Sequence, residues 1–189
     1  ILPSEDAEIS KLAQRAFKKQ GMIFHTNAAV QSIEMNESGA MVSFVDVNDE
    51  TKSESVTGEK VLVAIGVGPR CDGLFAESLN IELEHGFIKT DAKTSDEPTY
   101  QTSVAGIFAI GDIIGPPLLA HVASEEAVTC VERMTGHSTL GVDYNSIPAC
   151  TYTDHQIASI GKTEQQLLDE GVEFTVGEYS LKGHGKAIA

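Results

Sequence analysis

The chain has 189 residues, with 13 basic against 28 acidic side chains for a formal net charge of −15, and is 41% hydrophobic and 22% charged. This is ordinary globular composition with enough apolar material for a sizeable core. The acidic balance, with no cluster of Lys and Arg, excludes a nucleic-acid phosphate backbone as partner. No apolar run reaches the roughly 18 residues that a spanning helix needs, so no membrane partner is expected. Cys71, Cys130 and Cys150 form no Cys-x-x-Cys, which speaks against a disulfide scaffold or a zinc site and fits a reducing compartment. Each is expected to be a small buried or half-buried apolar residue.

In chain order, Ser4 is placed to cap a helix, with Glu5 and Asp6 in its first turn and Ile9, Leu12, Ala13, Ala16 and Phe17 along one face. Lys18 and Lys19 followed by Gly21 close it. Short strands are predicted at 22–24, 29–35 and 40–47, the last after a turn at Ser38-Gly39. A polar hairpin over 48–55 and a strongly apolar strand at 61–65 follow. From 70 to 98 the pattern weakens to a short helix near 74–79 and a strand near 87–90. Residues 119–134 read as a helix entered through Pro116-Pro117 and left through Gly136. Asp143-Tyr-Asn-Ser-Ile-Pro148 marks a boundary, with strands expected at 149–152, 157–160, 174–179 and 187–189. Between them Thr163-Glu-Gln-Gln166 matches a capping box opening a helix that ends at Gly171. The chain opens Ile1-Leu-Pro-Ser and has its first Met at position 22, so it reads as an internal piece of a longer protein.

The most informative stretch is Val104-Ala-Gly-Ile-Phe-Ala-Ile-Gly-Asp112, followed by Leu118-Leu-Ala-His121. Its apolar run reads as a strand buried on both faces, which delivers the Asp112 carboxylate at the carboxyl end of a parallel sheet. Gly111 lets a ligand approach the backbone closely. An ionised carboxylate there accepts hydrogen bonds from sugar-like hydroxyls, and the positive end of the following helix favours electron density on a bound ring or anion. Glu125-Glu126 in that helix is expected to be a solvated face, because adjacent helical positions point about 100° apart and cannot serve one site. His25, His85, His137, His155 and His184 occur singly, without metal-ligand spacing, and no metal site is expected.

These residues resemble a known family. Residues 104–112, with Leu119-Ala-His121 and Glu125-Glu126, are similar to the second flavin-binding motif of the flavoprotein disulfide reductases, the class I pyridine nucleotide-disulfide oxidoreductases. The Leu-Ala-His variant is most similar to the dihydrolipoyl dehydrogenases among them. Lys19-Gln-Gly21, Val61-Leu-Val-Ala-Ile-Gly66, Asp143-Tyr144, Tyr152-Thr153, Gly161-Lys-Thr-Glu164 and Gly185-Lys-Ala187 fall in the family's order over the whole chain. Departures from it stand at Val67-Gly68, Val122, Ala127, Asp154-His155-Gln156 and 179–184.

The resemblance implies an α/β fold, part of a two-dinucleotide-domain (FAD and NAD) flavoprotein with the beginning of an antiparallel α+β interface domain. Residues 1–74 would be the second half of the NAD-binding domain, 75–142 a central segment completing the FAD site, and 143–189 the start of the dimerisation domain. It implies that Asp112 binds the ribityl chain of FAD, that Leu118, Leu119, Ala120 and His121 lie against the flavin, and that Val30 and Gly66 line the NAD site. His121 is not expected to act as a base, since a protonated imidazole is disfavoured at the positive end of a helix. The parent enzyme would pass electrons from dihydrolipoamide, on a carrier domain of a 2-oxo acid dehydrogenase or glycine cleavage complex, through a cysteine pair and FAD to NAD. It would be a homodimer of the cytoplasm, or of the mitochondrial matrix in a eukaryote. No catalytic residue falls in this chain, which alone is expected to be silent. The alternatives are a sibling reductase acting on glutathione-like disulfides, on mercuric ion or as a transhydrogenase, and a non-catalytic assembly module of the same fold.

Overall fold

A computed structural model of the chain describes residues 1–37 and 39–188. They form two compact units, one of Ile1–Ala29, Val45–Lys52 and Pro148–Ala189, the other of Val30–Phe44 and Ser53–Ile147. Helix α1 spans Ala7–Lys19 and buries Ala13 and Phe17, while Leu12 stays half-exposed. It starts two residues later than the Ser4 cap predicts. The chain before it turns back, with Glu5 N–H donating to the Leu2 carbonyl, and Asp6 becomes the N-cap. Its carbonyl accepts from the Ser10 amide at 3.0 Å, but its side chain gives the helix no cap, and its Oδ1 accepts instead from the Glu164 amide at 2.8 Å.

Strands β1 (Ala28–Asn36), β2 (Gly39–Asp46) and β3 (Asp49–Gly58) form a three-stranded sheet in that order. Of the Ser38-Gly39 turn, Ser38 lies outside the described residues. The polar stretch predicted as a hairpin over 48–55 is the start of β3, and the turn is the shorter Val47-Asn48, where the Asn48 amide donates to Asp46 Oδ1 at 2.8 Å. Residues 22–24, 61–65 and 174–179, predicted as strands, are not in strands. Leu62 and Ile65 are 89% and 93% exposed. A strand exists only through its ladder partner, and no neighbouring strand pairs with these segments among the described residues.

The predicted helix at 74–79 shrinks to one turn of 3₁₀-helix, Glu77–Leu79. Strands β4 (Leu83–Glu84) and β5 (Phe87–Ile88) pair antiparallel across His85-Gly86, both at positive φ as a two-residue hairpin requires. The Asp91 carboxylate then accepts from the Thr99 amide and hydroxyl and from the Tyr100 amide, at 2.6–2.9 Å. That collar fixes Tyr100, fully buried, in a core with Ala92, Ile114 and Cys130, against which Phe108, Ala109, Ile110 and Ile113 pack.

Helix α2 spans Ala120–Met134 and buries Val122, Glu126, Thr129 and Cys130. The Thr129 hydroxyl is fully buried with no hydrogen-bond partner among the described residues. Replacing an unpaired buried hydroxyl with a methyl of the same shape removes a desolvation cost. Thr129→Val is therefore expected to raise the unfolding free energy of the complete protein by about 1 kcal/mol in urea titrations.

Strands β6 (Ala149–Thr151) and β7 (Ile157–Ser159) pair antiparallel, with Cys150 opposite Ala158. Cys150 is exposed, contrary to the expectation that each cysteine is at least half-buried; Cys130 is buried and Cys71 intermediate. The Cys150 side chain projects from a two-stranded ribbon, on the face opposite the half-buried Ala149 and Thr151. Helix α3 (Glu164–Asp169) opens on the predicted capping box. The Thr163 hydroxyl accepts from the Gln166 amide, and the Gln166 side chain accepts from the Thr163 amide at 2.8 Å.

The chain closes with a 3₁₀ turn at Leu181–Gly183 and the short helix α4 (Gly185–Ile188). That helix replaces the strand predicted at 187–189, of which Ala189 lies outside the described residues. Here the Ala187 amide bonds locally to the His184 carbonyl in place of a ladder.

Helices α1, α2 and α3 end alike. The amides after Gly21, Gly136 and Gly171 reach back to the carbonyls of Phe17, Glu132 and Leu167, a Schellman closure that requires the positive φ of each glycine.

Candidate functional site

The segment predicted as a buried strand into Asp112 is extended but forms no named strand. It bends at 103–106, pairs by single bridges (Gln101 with Phe108, Thr90 with Thr102) and is half-buried from Ile107 to Ile110. It leads into a 3₁₀ turn, Gly111–Ile114, which aims the Asp112 side chain outward, exposed. Gly111 has φ 75°, and a Cβ there would stand 3.2 Å from the Ala123 Cβ. The loop runs on through Gly115 and Pro116 to Leu119, the N-cap of α2, which gives the helix no side-chain cap. The Val122 and Ala123 amides turn back to the Leu119 carbonyl at 3.1 Å, no side chain caps the amides ahead of them, and the positive helix end lies in the same continuous segment as Asp112.

That segment joins five of the predicted residues. Leu118 and Leu119 are half-buried, while Ala120 and His121 are exposed at the start of α2. Val30 lies on β1, 59% exposed. Gly66 sits at φ 114° outside any helix or strand, with nothing within 4 Å of its Cβ position. Both belong to other parts of the chain.

Glu126 is the residue that sequence reasoning placed wrongly. It is 2% exposed, not part of a solvated face, whereas Glu125 is exposed. Its Oε2 accepts from the Gly111 amide at 2.6 Å and its Oε1 from the Tyr144 hydroxyl at 2.7 Å. The signal was present in the helical period: 122, 126, 129 and 130 share a face, so Glu126 falls on the apolar stripe and Glu125 does not. Burial and the bond to Glu126 push the Tyr144 hydroxyl well above the usual phenol range, so it stays protonated and donates. Burial likewise raises Tyr100 and the Cys130 thiol.

Residues 1–127 match the family described as pyridine nucleotide-disulphide oxidoreductase, and residues 147–189 match its dimerisation domain. The chain belongs to this family. Its fold is the family's mixed α/β fold with the start of the dimerisation domain. The dihydrolipoyl dehydrogenase of Rhizobium etli is 37% identical over 193 residues, which is all of this chain and 38% of that protein. The mitochondrial dihydrolipoyl dehydrogenase of Rattus norvegicus is 38% identical over 183 residues, 96% of this chain and 35% of that one. Among solved structures, LpdA of Mycobacterium tuberculosis superposes with a TM-score of 0.75 at 26% identity, over 89% of this chain and 34% of that chain. RclA of Escherichia coli, a flavoprotein disulfide reductase, gives 0.80 at 21% identity, over 98% and 40%, a likeness of fold alone. This oxidoreductase chain thus spans well under half the length of the relatives it matches.

The residues present fit a flavin. An outward carboxylate, a backbone turn closed to a Cβ and an uncapped helix end in one continuous stretch suit a ligand with hydroxyls beside an electron-rich ring. Among the described residues no helix is long and apolar enough to cross a membrane.

Proposed function

We propose that the complete protein is a dihydrolipoyl dehydrogenase. The Gly111–Asp112 turn running into the open end of α2 carries this reading, together with 37% identity to enzymes of that name. Dihydrolipoamide would be oxidised to the cyclic disulfide. Its two electrons and one proton would pass as a hydride equivalent to NAD⁺, and the second proton would leave to solvent. FAD, when bound, supplies the electron relay between the dithiol and the nucleotide.

In this division of labour Asp112 holds the ribityl hydroxyls, and residues 118–121 lie against the flavin with the α2 amides at its electron-rich edge. Val30 and Gly66 line the NAD site. The domains follow the same division: 1–74 for NAD, 75–142 for FAD, and 143–189 for the contact between two copies. Cys71, Cys130 and Cys150 are widely separated in sequence, so the redox pair would come from elsewhere in the protein, and residues 1–189 alone are expected to be inactive. The partner would be a lipoyl carrier domain of a 2-oxo acid dehydrogenase or glycine cleavage complex, in the cytoplasm or the mitochondrial matrix.

Steady-state turnover of the purified complete protein tests this. Dihydrolipoamide with NAD⁺ is expected to exceed glutathione disulfide, mercuric ion and transhydrogenation by at least about a hundredfold in kcat/KM, the discrimination expected when substrate groups leave buried partners unpaired in the wrong complex. Preference for one of the other three would make it a sibling reductase. Absence of all four activities would make it an assembly module.

A further inference from the structure

Resting on the reading of Asp112 as a flavin contact, we propose that Glu126, Tyr144 and Lys93 form a clamp on the two ends of the 111–116 loop and so set the position from which Asp112 meets the cofactor. At one end Glu126, buried in α2, takes the Gly111 amide on one oxygen and the Tyr144 hydroxyl on the other. At the far end the Lys93 ammonium donates to the Pro116 carbonyl. The same ammonium stands 5.7 Å from the centroid of the Tyr144 ring, within the range of a cation–π contact. Tyr144 therefore links the two grips, through its hydroxyl to Glu126 and through its ring to Lys93.

The arrangement is demanding. A carboxylate buried in a helix face is retained only while both its oxygens are bonded, because a buried group left unpaired costs its desolvation in full. A helix that needed only solubility would carry its acid one position earlier, at the exposed Glu125. Glu126 engages the amide of the residue immediately before Asp112, so a shift of Glu126 moves the turn that aims the Asp112 side chain. Glu126 acts on the ligand through Gly111 and is a positioning residue.

The test uses the complete protein stripped of flavin and titrated with FAD by fluorescence quenching, with urea denaturation of each apoprotein alongside. Tyr144→Phe removes one hydroxyl and is expected to weaken FAD about fivefold, while Glu126→Ala weakens it about tenfold or more. Glu126→Gln, which keeps an acceptor for Gly111 and offers Tyr144 an amide donor, is expected to recover FAD binding to within about twofold of the parent. Glu125→Ala, on the exposed face, serves as the control and is expected to bind as the parent does.

FAD affinity unchanged in both Glu126→Ala and Tyr144→Phe overturns the clamp. So does an affinity loss that follows apoprotein stability across the series with no recovery in Glu126→Gln, since a purely structural role predicts that correlation. Asp112→Ala in the same series separates the two readings. If it weakens FAD while the Glu126 and Tyr144 variants do not, the clamp fails and the flavin assignment stands; if none of them weakens FAD, the flavin assignment itself fails.

Discussion

Asp112→Ala in the complete protein is expected to lower its affinity for FAD by about 10- to 150-fold for each hydroxyl bond lost, with little change in the stability of the apoprotein. Hydrogen bonds to a charged acceptor contribute roughly 1.5–3 kcal/mol each, and about 1.4 kcal/mol is a factor of ten in binding. The asymmetry between affinity and stability follows from geometry. The Asp112 side chain projects into solvent from a 3₁₀ turn, so truncating it removes a ligand contact while leaving the packing behind it intact. Equilibrium dialysis of the apoprotein against FAD, with urea denaturation as the control, reads both quantities. Asn in the same position keeps one acceptor but loses the charge, and should fall between the two.

Gly111→Val is expected to do the opposite and damage the fold first. The backbone at Gly111 sits at φ 75°, where a β-branched residue is strained by about 1–2 kcal/mol. Its Cβ would also meet the Ala123 Cβ at 3.2 Å, and relieving that contact costs a further 1–3 kcal/mol or so. The sum, roughly 2–5 kcal/mol, should appear in urea unfolding of the apoprotein. Because the same residue donates its amide to Glu126 at 2.6 Å, FAD affinity should fall with it. Gly111→Ala, with the same strain and fewer atoms to place, should lose less. A valine variant as stable as the parent would show that the turn relaxes freely and is not a fixed cradle.

What the sequence disclosed and what it hid divide by the range of the forces. The Thr163 capping box, the helices closing at Gly21, Gly136 and Gly171, and α2 itself are set by residues within one or two turns of each other, and all stand where the sequence places them. At Gly111–Asp112 the sequence predicts the end of a buried strand, and the structure has a 3₁₀ turn after a half-buried segment paired only by single bridges, because the strand needed ladder partners from elsewhere in the chain. The expected strands at 61–65 and 174–179 depend on ladder partners distant in sequence, and hydrophobicity alone cannot supply those; the first forms no strand and is exposed. The N-cap of α1 moved from Ser4 to Asp6 for a related reason, since Asp6 is engaged by Glu164, 158 residues away.

Glu126 is the instructive case. Its charge argued for solvent while its spacing from Val122, Thr129 and Cys130 argued for the core, and the spacing prevailed because Gly111 and Tyr144 supply the two partners a buried carboxylate needs. Neither partner is adjacent in sequence.

The most direct measurement is a crystal structure of the complete protein purified with its bound flavin. Ribityl hydroxyls are expected within hydrogen-bonding distance of the Asp112 carboxylate, with the isoalloxazine ring against residues 118–121 and the Gly111 amide still on Glu126. A flavin held elsewhere, with Asp112 facing only solvent, would contradict this assignment.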